Sequence, residues 1–561
     1  PGFDKRRTKL EAQRGAIIAA IVEGKSQRAI AAQFDCSRVA FHKFMQRHRE
    51  EIDEALERLH RSVADYAIAE AVLGPEAEAL FRPLEERYEH LELSSADYFR
   101  IYFELLAVGP HEFDRLAREG AKFTDAYAAC PVCSPTRASI LSGQWPQRSG
   151  ITDYIGAPQP KDWKRNTKLL PAAYSDRLAL DSPTLAKSLK AAGYATFFAG
   201  KWHLGPQGWW PENQGFDHNL GGIDKGGPYG GDKYFSPYGN PRLPDGPPGE
   251  HLPDRLAGEA AKFIAANKDR PFFAYFPFYS VHTPLMARPD LQKKYEEKRA
   301  RLGLTEKWGR EGERDVRLTQ AHAVYAAMVE AMDLAVGKVL AQLDALGLAE
   351  NTIVIFTSDN GGLSTSEGWP TSNLPLRGGK GWMYEGGIRE PLLVRWPGTV
   401  KPGSVIGAPV SSPDFFPTLL EAAGAKPAPG QILDGVSLVP VLRGGAAPER
   451  AIFWQYPHYG NQGGAPAAAV RRGPWKLIHW FEDDRFELFN VVTDLAEATD
   501  LAAREPARVA GLRAELAAWQ RTVGAVFPAA NPAYDVAKPS GRAAIRPGSP
   551  AANIQPAKQK K

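Results

Sequence analysis

Cys133 heads the run Cys133-Ser134-Pro135-Thr136-Arg137, which continues through Ala138-Ser139-Ile140-Leu141-Ser142-Gly143-Gln144. On its own such a run reads as a small buried Cys near a surface Arg. Further along stand Lys201 and His203, then His282, then Asp359 and Asn360, then Lys380. Singly, a Lys is most often a solvated surface residue and a His a structural hydrogen-bonder. Hard oxygen donors such as the Asp359 carboxylate and the Asn360 carbonyl suit calcium. The stretch from Phe453 to Gly464 is rich in aromatic and amide groups. Aromatic faces and amides suit a sugar or aryl group, so His458, Asn461 and Gln462 are candidates for selecting a substrate. A Gly-rich loop packed on the main sheet would look the same.

The elements that must position these residues are legible. Ser182 and Pro183 suit the start of a helix that Gly193 closes, and Tyr194 to Ala199 reads as a buried strand. A second unit has a helix near Asp254 to Asn267 and a strand from Phe272 to Phe276, followed by His282. A third has a long helix ending before Gly347 and a strand from Thr352 to Thr357, followed by Asp359 and Asn360. In each unit the polar residues lie just past a strand's C-terminal end, where open α/β sheets place their ligand crevices. One such cluster would be a loop. Three on one edge point to a site.

The 561-residue chain is too long for one core, and its 43% hydrophobic and 24% charged composition is ordinary for a soluble globular protein. The formal charge of +4 makes no case for a nucleic-acid-binding protein as a whole. No apolar run approaches the ~20 residues of a membrane helix, so no membrane partner is expected. The N-terminus carries Lys5, Arg6 and Arg7, lacks an apolar stretch and does not read as a secretory signal. Without a starting Met the chain reads as a fragment or a processed form. Cys36, Cys130 and Cys133 make no disulfide framework. By texture, residues 1–108 are helical, 109–445 alternate as an α/β unit, 446–525 are a smaller C-terminal stretch and 526–561 a disordered Pro- and Ala-rich tail.

The cysteine run resembles the signature of type I sulfatases, the formylglycine-dependent arylsulfatase family of the alkaline phosphatase superfamily. Gly193-Tyr194-Ala195-Thr196 with Gly200-Lys201-Trp202-His203-Leu204-Gly205 is similar to the family's second signature. Val281-His282-Thr283-Pro284, Thr357-Ser358-Asp359-Asn360-Gly361 and Leu376-Arg377-Gly378-Gly379-Lys380-Gly381 follow in family order. Ala469-Val470-Arg471, Trp475-Lys476-Leu477-Ile478 and Phe486-Glu487-Leu488-Phe489-Asn490 resemble the family's C-terminal part. The resemblance covers roughly Asp114 to Gln520, about seven-tenths of the chain and ample for a domain.

It implies an alkaline-phosphatase-like α/β fold, a mixed, mostly parallel sheet flanked by helices, with a small C-terminal α+β subdomain. It further implies that a formylglycine-generating maturation enzyme oxidises Cys133 to formylglycine, whose hydrate Arg137 steadies. Lys201 and Lys380 would hold the sulfate, and calcium or another divalent cation would sit on Asp359 and Asn360. One hydroxyl of the hydrate would attack sulfur to give a covalent sulfo-enzyme, and the other would expel sulfate. His282 would protonate the departing alcohol or phenol, and His203 would bridge nucleophile or sulfate. The substrate would be a sulfated small molecule or carbohydrate. A phosphonate or phosphodiester hydrolase of the same superfamily is a second reading. Family members are usually exported, but nothing in the chain assigns a location.

The sequence departs from the family at one place. Sulfatases of this type open with an apolar strand ending in a pair of Asp residues that supply half of the protein's metal ligands, and no such strand is found. Asp483-Asp484 falls in a predicted hairpin, and Tyr98 to Val108 offers only Glu104. The expectation is therefore a catalytic domain truncated at its N-terminus with weakened cation binding, and a third reading is an inactive pseudo-sulfatase or a fusion. Upstream, Ser26 to Phe41 resembles a helix-turn-helix within residues 10–46, with Arg38, His42 and Lys43 on its second helix and Lys5, Arg6, Arg7 and Lys9 placed to meet phosphates. DNA is the partner that segment would imply, and a plain Ala-rich helical bundle is the alternative.

Overall fold

A computed structural model describes residues 112–447 and 449–544. The helical reading of residues 1–108, the helix-turn-helix and its DNA contacts lie outside the described residues. The catalytic part runs α1 (Glu112–Glu119), β1 (Ala121–Tyr127), α2 (Cys133–Ser142), α3 (Leu185–Ala191), β2 (Ala195–Ala199), β3 (His218–Leu220), α4 (Leu252–Ala266) and β4 (Phe272–Tyr275). It continues through α5 (Ala323–Ala345), β5 (Val354–Thr357), β6 (Arg389–Arg395), β7 (Ser404–Ile406) and β8 (Val410–Ser411). The C-terminal part is β9 (Ala451–Tyr456), β10 (Ala467–Arg472), β11 (Trp475–Trp480), β12 (Arg485–Asn490) and α6 (Pro506–Thr522).

The catalytic strands form two sheets. One has the order β7-β1-β6-β5, with β8 also on β1; β7 and β8 run parallel to β1, while β6 is antiparallel to both β1 and β5. The other is parallel throughout, with the order β3-β2-β4. The architecture is thus α/β with mixed sheets, followed by a four-stranded antiparallel sheet of β9 to β12. The catalytic strands with a neighbour on each side, β1, β2 and β6, are buried except at Lys122. By contrast, the equally apolar β4 and β5 each pair on one edge among the described residues and are only half-buried along their length.

Long-range contacts set the entry to the sheet. The buried Asp333 of α5 accepts from the backbone N–H of Phe113 at 2.9 Å and of Glu112 at 3.2 Å, capping α1 from more than two hundred residues away. Phe113 then packs on Phe356 of β5 with ring centroids 4.3 Å apart.

Two expectations need correction. The helix before β2 is capped by Thr184 and not by Ser182; the Thr184 hydroxyl accepts from Lys187 N–H at 3.3 Å. The tail, expected to be disordered from residue 526, is ordered through 544. Ala529 and Ala530 pair with Leu170 and Leu169. Asn531 side-chain Nδ2 donates to the Thr167 carbonyl at 2.8 Å, and Asn166 Nδ2 donates to the carbonyls of Asp535 and Lys538 at 2.8 Å. Backbone pairing and asparagine side chains hold this segment where apolar content is low, a possibility that composition alone does not reveal.

Candidate active site

Loops at the C-terminal ends of β2, β4 and β5 converge on the first turn of α2, which Cys133 opens. The loop into α2 is fastened by the Thr136 hydroxyl, which donates to the Cys130 carbonyl at 3.0 Å and accepts from its N–H at 3.2 Å. Gly200 ends β2 with φ of +117°, and a Cβ there would fall 1.9 Å from the Pro277 carbonyl oxygen. Only glycine allows that approach, which lets Lys201 N–H bond the same carbonyl at 2.8 Å and so locks the β2 loop to the β4 loop. His203, itself left-handed at φ of 59°, places Nδ1 at 3.3 Å from Cys133 Sγ, while its Nε2 lies 2.8 Å from the Ile155 carbonyl. Ser134 Oγ donates to the His203 carbonyl at 2.9 Å. Arg137 donates from Nε to Asp359 Oδ2 at 2.7 Å and from Nη1 to the Lys201 carbonyl at 2.6 Å.

The electrostatics follow from burial and from this convergence. Burial would lift the Cys133 thiol, but Lys201, His203 and Lys380 outweigh it and hold the group well below its ordinary value. Burial lowers the Lys201 ammonium to about 8, against the pull of Cys133 and Asp359. Lys380 is also penalised by burial, yet Cys133, Glu367 and Asp359 raise it above its ordinary value. His282 lies well below its usual range because it is desolvated and because Lys380 and Lys201 repel its charged form. Its Nδ1 is 2.9 Å from the Thr283 carbonyl and 3.3 Å from the Tyr229 hydroxyl. The six expected catalytic residues and Asp359 therefore lie together, with lysine and arginine charge gathered around Cys133, a setting suited to an anion.

The donors expected to hold a cation suit a hard ion in type. Asp359 is kept ionised because Arg137, Lys201 and Lys380 overcome its burial, and Asn360 Oδ1 is buried with no hydrogen-bond partner. Calcium usually takes about 6–8 oxygens. Among the described residues no cluster of three or more His, Cys, Asp or Glu side chains forms a complete shell.

Of the residues expected to touch substrate, His458 is 1% exposed and lowered to about 3 by burial. Its Nε2 is 2.9 Å from Thr152 Oγ1 and its Nδ1 is 3.6 Å from Asp153. Asn461 is exposed, donating to the Tyr154 hydroxyl at 2.7 Å and accepting from Arg165 Nη2 at 2.8 Å. Gln462 is buried and donates to Glu367 Oε1 at 2.6 Å. Sequence reading missed several groups here. Asp153, raised to about 8 by burial, takes a hydrogen bond from Tyr456 at 3.0 Å. Glu390 on β6 is pushed well above the carboxylate range, by burial first and by Asp359 second. Neither stands in a motif, so only the fold reveals them.

Fold and site define a hydrolase-type α/β enzyme built around a cysteine caged by cations. The sequence model of the sulfatase family matches residues 94–425, and that of the N-sulphoglucosamine sulphohydrolase C-terminal region matches residues 379–520. The chain belongs to the sulfatase family, hydrolases of sulfate esters. It is 35% identical to a sulfatase of Formosa agariphila over 459 residues, 70% of this chain and 79% of that one. It is also 35% identical to arylsulfatase A of Homo sapiens over 401 residues, 66% of this chain and 69% of that one. Among solved structures, Ps i-CgsB in complex with k-i-k-neocarrahexaose is similar with a TM-score of 0.59 and 28% identity, covering 73% of this chain and 86% of that one.

Proposed function

We propose that the protein cleaves a sulfate ester of a carbohydrate or aryl alcohol at Cys133, matured to formylglycine. The observation that carries this reading is the enclosure of Cys133 by Lys201, His203 and Lys380 with Arg137 and Asp359 directly behind. Formylglycine would supply a nucleophilic hydroxyl, and a divalent cation, calcium by family, would add positive charge at Asp359 and Asn360. Lys201 and Lys380 bind the sulfuryl oxygens and oppose the charge that develops on them. Arg137 orients the loop carrying Lys201 and keeps Asp359 ionised. His203 holds a proton next to the residue 133 side chain, and His282 delivers one to the departing oxygen. Burial and the two lysines keep His282 neutral; a bound anion offsets the lysines and lets it take up the proton it must donate.

A carbohydrate substrate draws support from the neocarrahexaose bound by Ps i-CgsB. The decisive experiment is aryl sulfate hydrolysis after co-expression with a formylglycine-generating enzyme, with and without calcium, and with peptide mass confirming conversion of Cys133. Calcium-dependent turnover that vanishes in Cys133→Ala is expected. Faster turnover of a phosphonate or phosphodiester than of a sulfate ester would move the assignment within the superfamily. No turnover of either by fully converted protein would refute it.

A further inference from the structure

Three arginines from distant parts of the chain, Arg165, Arg314 and Arg542, come together beside the loop that follows β9, and each repels the charge of the other two. Arg314 is 5% exposed, and its Nε is buried without a hydrogen-bond partner among the described residues. Burial first, and then Arg165 and Arg542, lower it to about 10, against the weaker pull of Glu313 and Glu367. Arg165 Nη1 and Arg542 Nε are likewise buried and unpartnered. Among the described residues only Arg542 of the three pairs with a carboxylate, Glu482 at 3.0 Å, and its Nη2 donates to the Gly463 carbonyl at 2.8 Å. Arg165 has Asn461 as its acceptor and lies over the Trp163 ring at 5.4 Å.

Burying guanidinium groups without acceptors is costly, and gathering three of them more so. The cluster is nevertheless built with care. Gly463, at φ of +109°, is the point where Arg314 passes; a Cβ there would fall 2.7 Å from Arg314 Nε. Its neighbour Gln462 packs on Gly381, next to Lys380, where a Cβ would meet Gln462 Oε1 at 2.6 Å. On the other flank, Asp153 feels the charges of both Arg165 and Cys133. The cluster therefore borders the Cys133 pocket without belonging to it.

We propose that Arg165, Arg314 and Arg542 form a second anion site, which takes another sulfate or a carboxylate on the same glycan whose sulfate ester lies at Cys133. Guanidinium forks match either group with paired, charge-assisted hydrogen bonds. The proposal rests on the sulfatase reading and specifies its substrate class as polyanionic rather than singly sulfated.

The test compares wild type with Arg314→Met and, in case that variant folds poorly, Arg165→Met. Calorimetry on protein with unconverted Cys133 measures binding of glucosamine-6-O-sulfate, of glucosamine-2-N,6-O-disulfate and of a 6-O-sulfated disaccharide carrying a uronate. Loss of a charge-assisted pair should weaken the two doubly anionic ligands about ten- to hundredfold more than the singly sulfated one. Whichever of those two loses more identifies the second group as sulfate or carboxylate. In matured enzyme the same selective rise in KM is expected relative to p-nitrophenyl sulfate. Equal effects on all ligands, or none on any, would overturn the second site even if aryl sulfate turnover upholds the catalytic reading. A selective loss of binding without any turnover would leave the anion site standing and the catalytic reading refuted.

Discussion

Arg137 donates its Nε–H to Asp359 Oδ2 at 2.7 Å, tying the Cys133 helix to the loop after β5 with one ion pair. Arg137 is 7% exposed, so removing it leaves a carboxylate facing the pocket without its closest cation. Breaking a buried pair from one side typically costs about 3–5 kcal/mol. Arg137→Ala should lose stability of that order in denaturant titration and lose most turnover as well. Arg137→Lys keeps the charge but not the second hydrogen bond to the Lys201 carbonyl, and should fall between. A stability change within the scatter of surface substitutions, about 0.5 kcal/mol, would show that the pair does not hold the site together.

Lys201 gives the activity an alkaline limit. Its ammonium is lowered to about 8 by burial, so it deprotonates in the free enzyme as pH rises through that value. Neutral Lys201 no longer attracts the sulfate, and conversion of Cys133 removes a charge that pulls its pKa upward, so kcat/KM for an aryl sulfate should decline with a midpoint at or below about pH 8. A bound anion favours the charged form, so the limb in kcat should lie at higher pH. Lys201→Arg keeps its charge throughout this range and should abolish the limb in kcat/KM, whatever its effect on rate.

The two buried cysteines should behave oppositely before maturation. Cys133 is held well below the usual thiol value because Lys201, His203 and Lys380 overcome its burial, whereas burial pushes Cys130 well above it. Thiolate is the reactive form. Iodoacetamide near neutral pH should therefore label Cys133 and spare Cys130, as read by peptide mass. Equal labelling would mean that the lysine cage does not act on residue 133.

Much of this site was legible because its residues lie directly after strands, where periodicity and glycines mark the position. Lys201, His203, His282, Asp359 and Asn360 were all placed by that rule. Cys133 is different: without the longer run through Gly143 it is an unremarkable small residue. Asp153, Glu390 and the three clustered arginines were illegible for a physical reason. Arg165 and Arg314 meet at the loop after β9, and Arg542 joins them only because the tail runs back past Leu169 and Leu170, a path that no local spacing records. The same pairing explains why a tail poor in apolar residues is ordered. Thr184 displaced Ser182 as the helix cap because the cap depends on where the chain turns toward β2, which a cluster of candidate caps does not fix.

His282 should matter in proportion to how much its proton is needed. A p-nitrophenolate leaves unaided, whereas a sugar alkoxide does not. General acid catalysis contributes about 10²–10⁴-fold where it is required. His282→Ala should therefore lower kcat by about that factor on a sugar sulfate and by about tenfold or less on p-nitrophenyl sulfate. Tyr229, whose hydroxyl is 3.3 Å from His282 Nδ1, is exposed, and Tyr229→Phe should have a smaller effect in the same direction. An equal loss on both leaving groups would assign His282 to binding instead.

The C-terminal sheet is welded to the catalytic sheet by charge as well as by apolar packing. Lys476 on β11 is fully enclosed and donates to Glu385 Oε1 at 2.8 Å and Glu497 Oε1 at 2.9 Å. Glu385 in turn accepts from the Tyr127 hydroxyl at 2.7 Å and from Arg389 at 3.2 Å. Burial would raise Glu385, but Lys476, Arg389 and Arg471 hold it well below the carboxylate range. A depressed carboxylate contributes stability above its unfolded value, lost as pH falls through the folded one. Burial already raises Glu497 to about 7, and Lys476→Met removes the nearest cation, so both enclosed carboxylates shift upward and the pair holds more proton near neutrality. Stability gained from a raised carboxylate is present at low pH and lost as pH rises. The variant should therefore be less stable than wild type by about 3–5 kcal/mol near pH 8 and by less near pH 5.5. Adding Glu497→Gln should recover part of the loss at pH 8 only. Denaturant midpoints at the two pH values test this, and a gap that does not change with pH would show that Lys476 acts through packing alone.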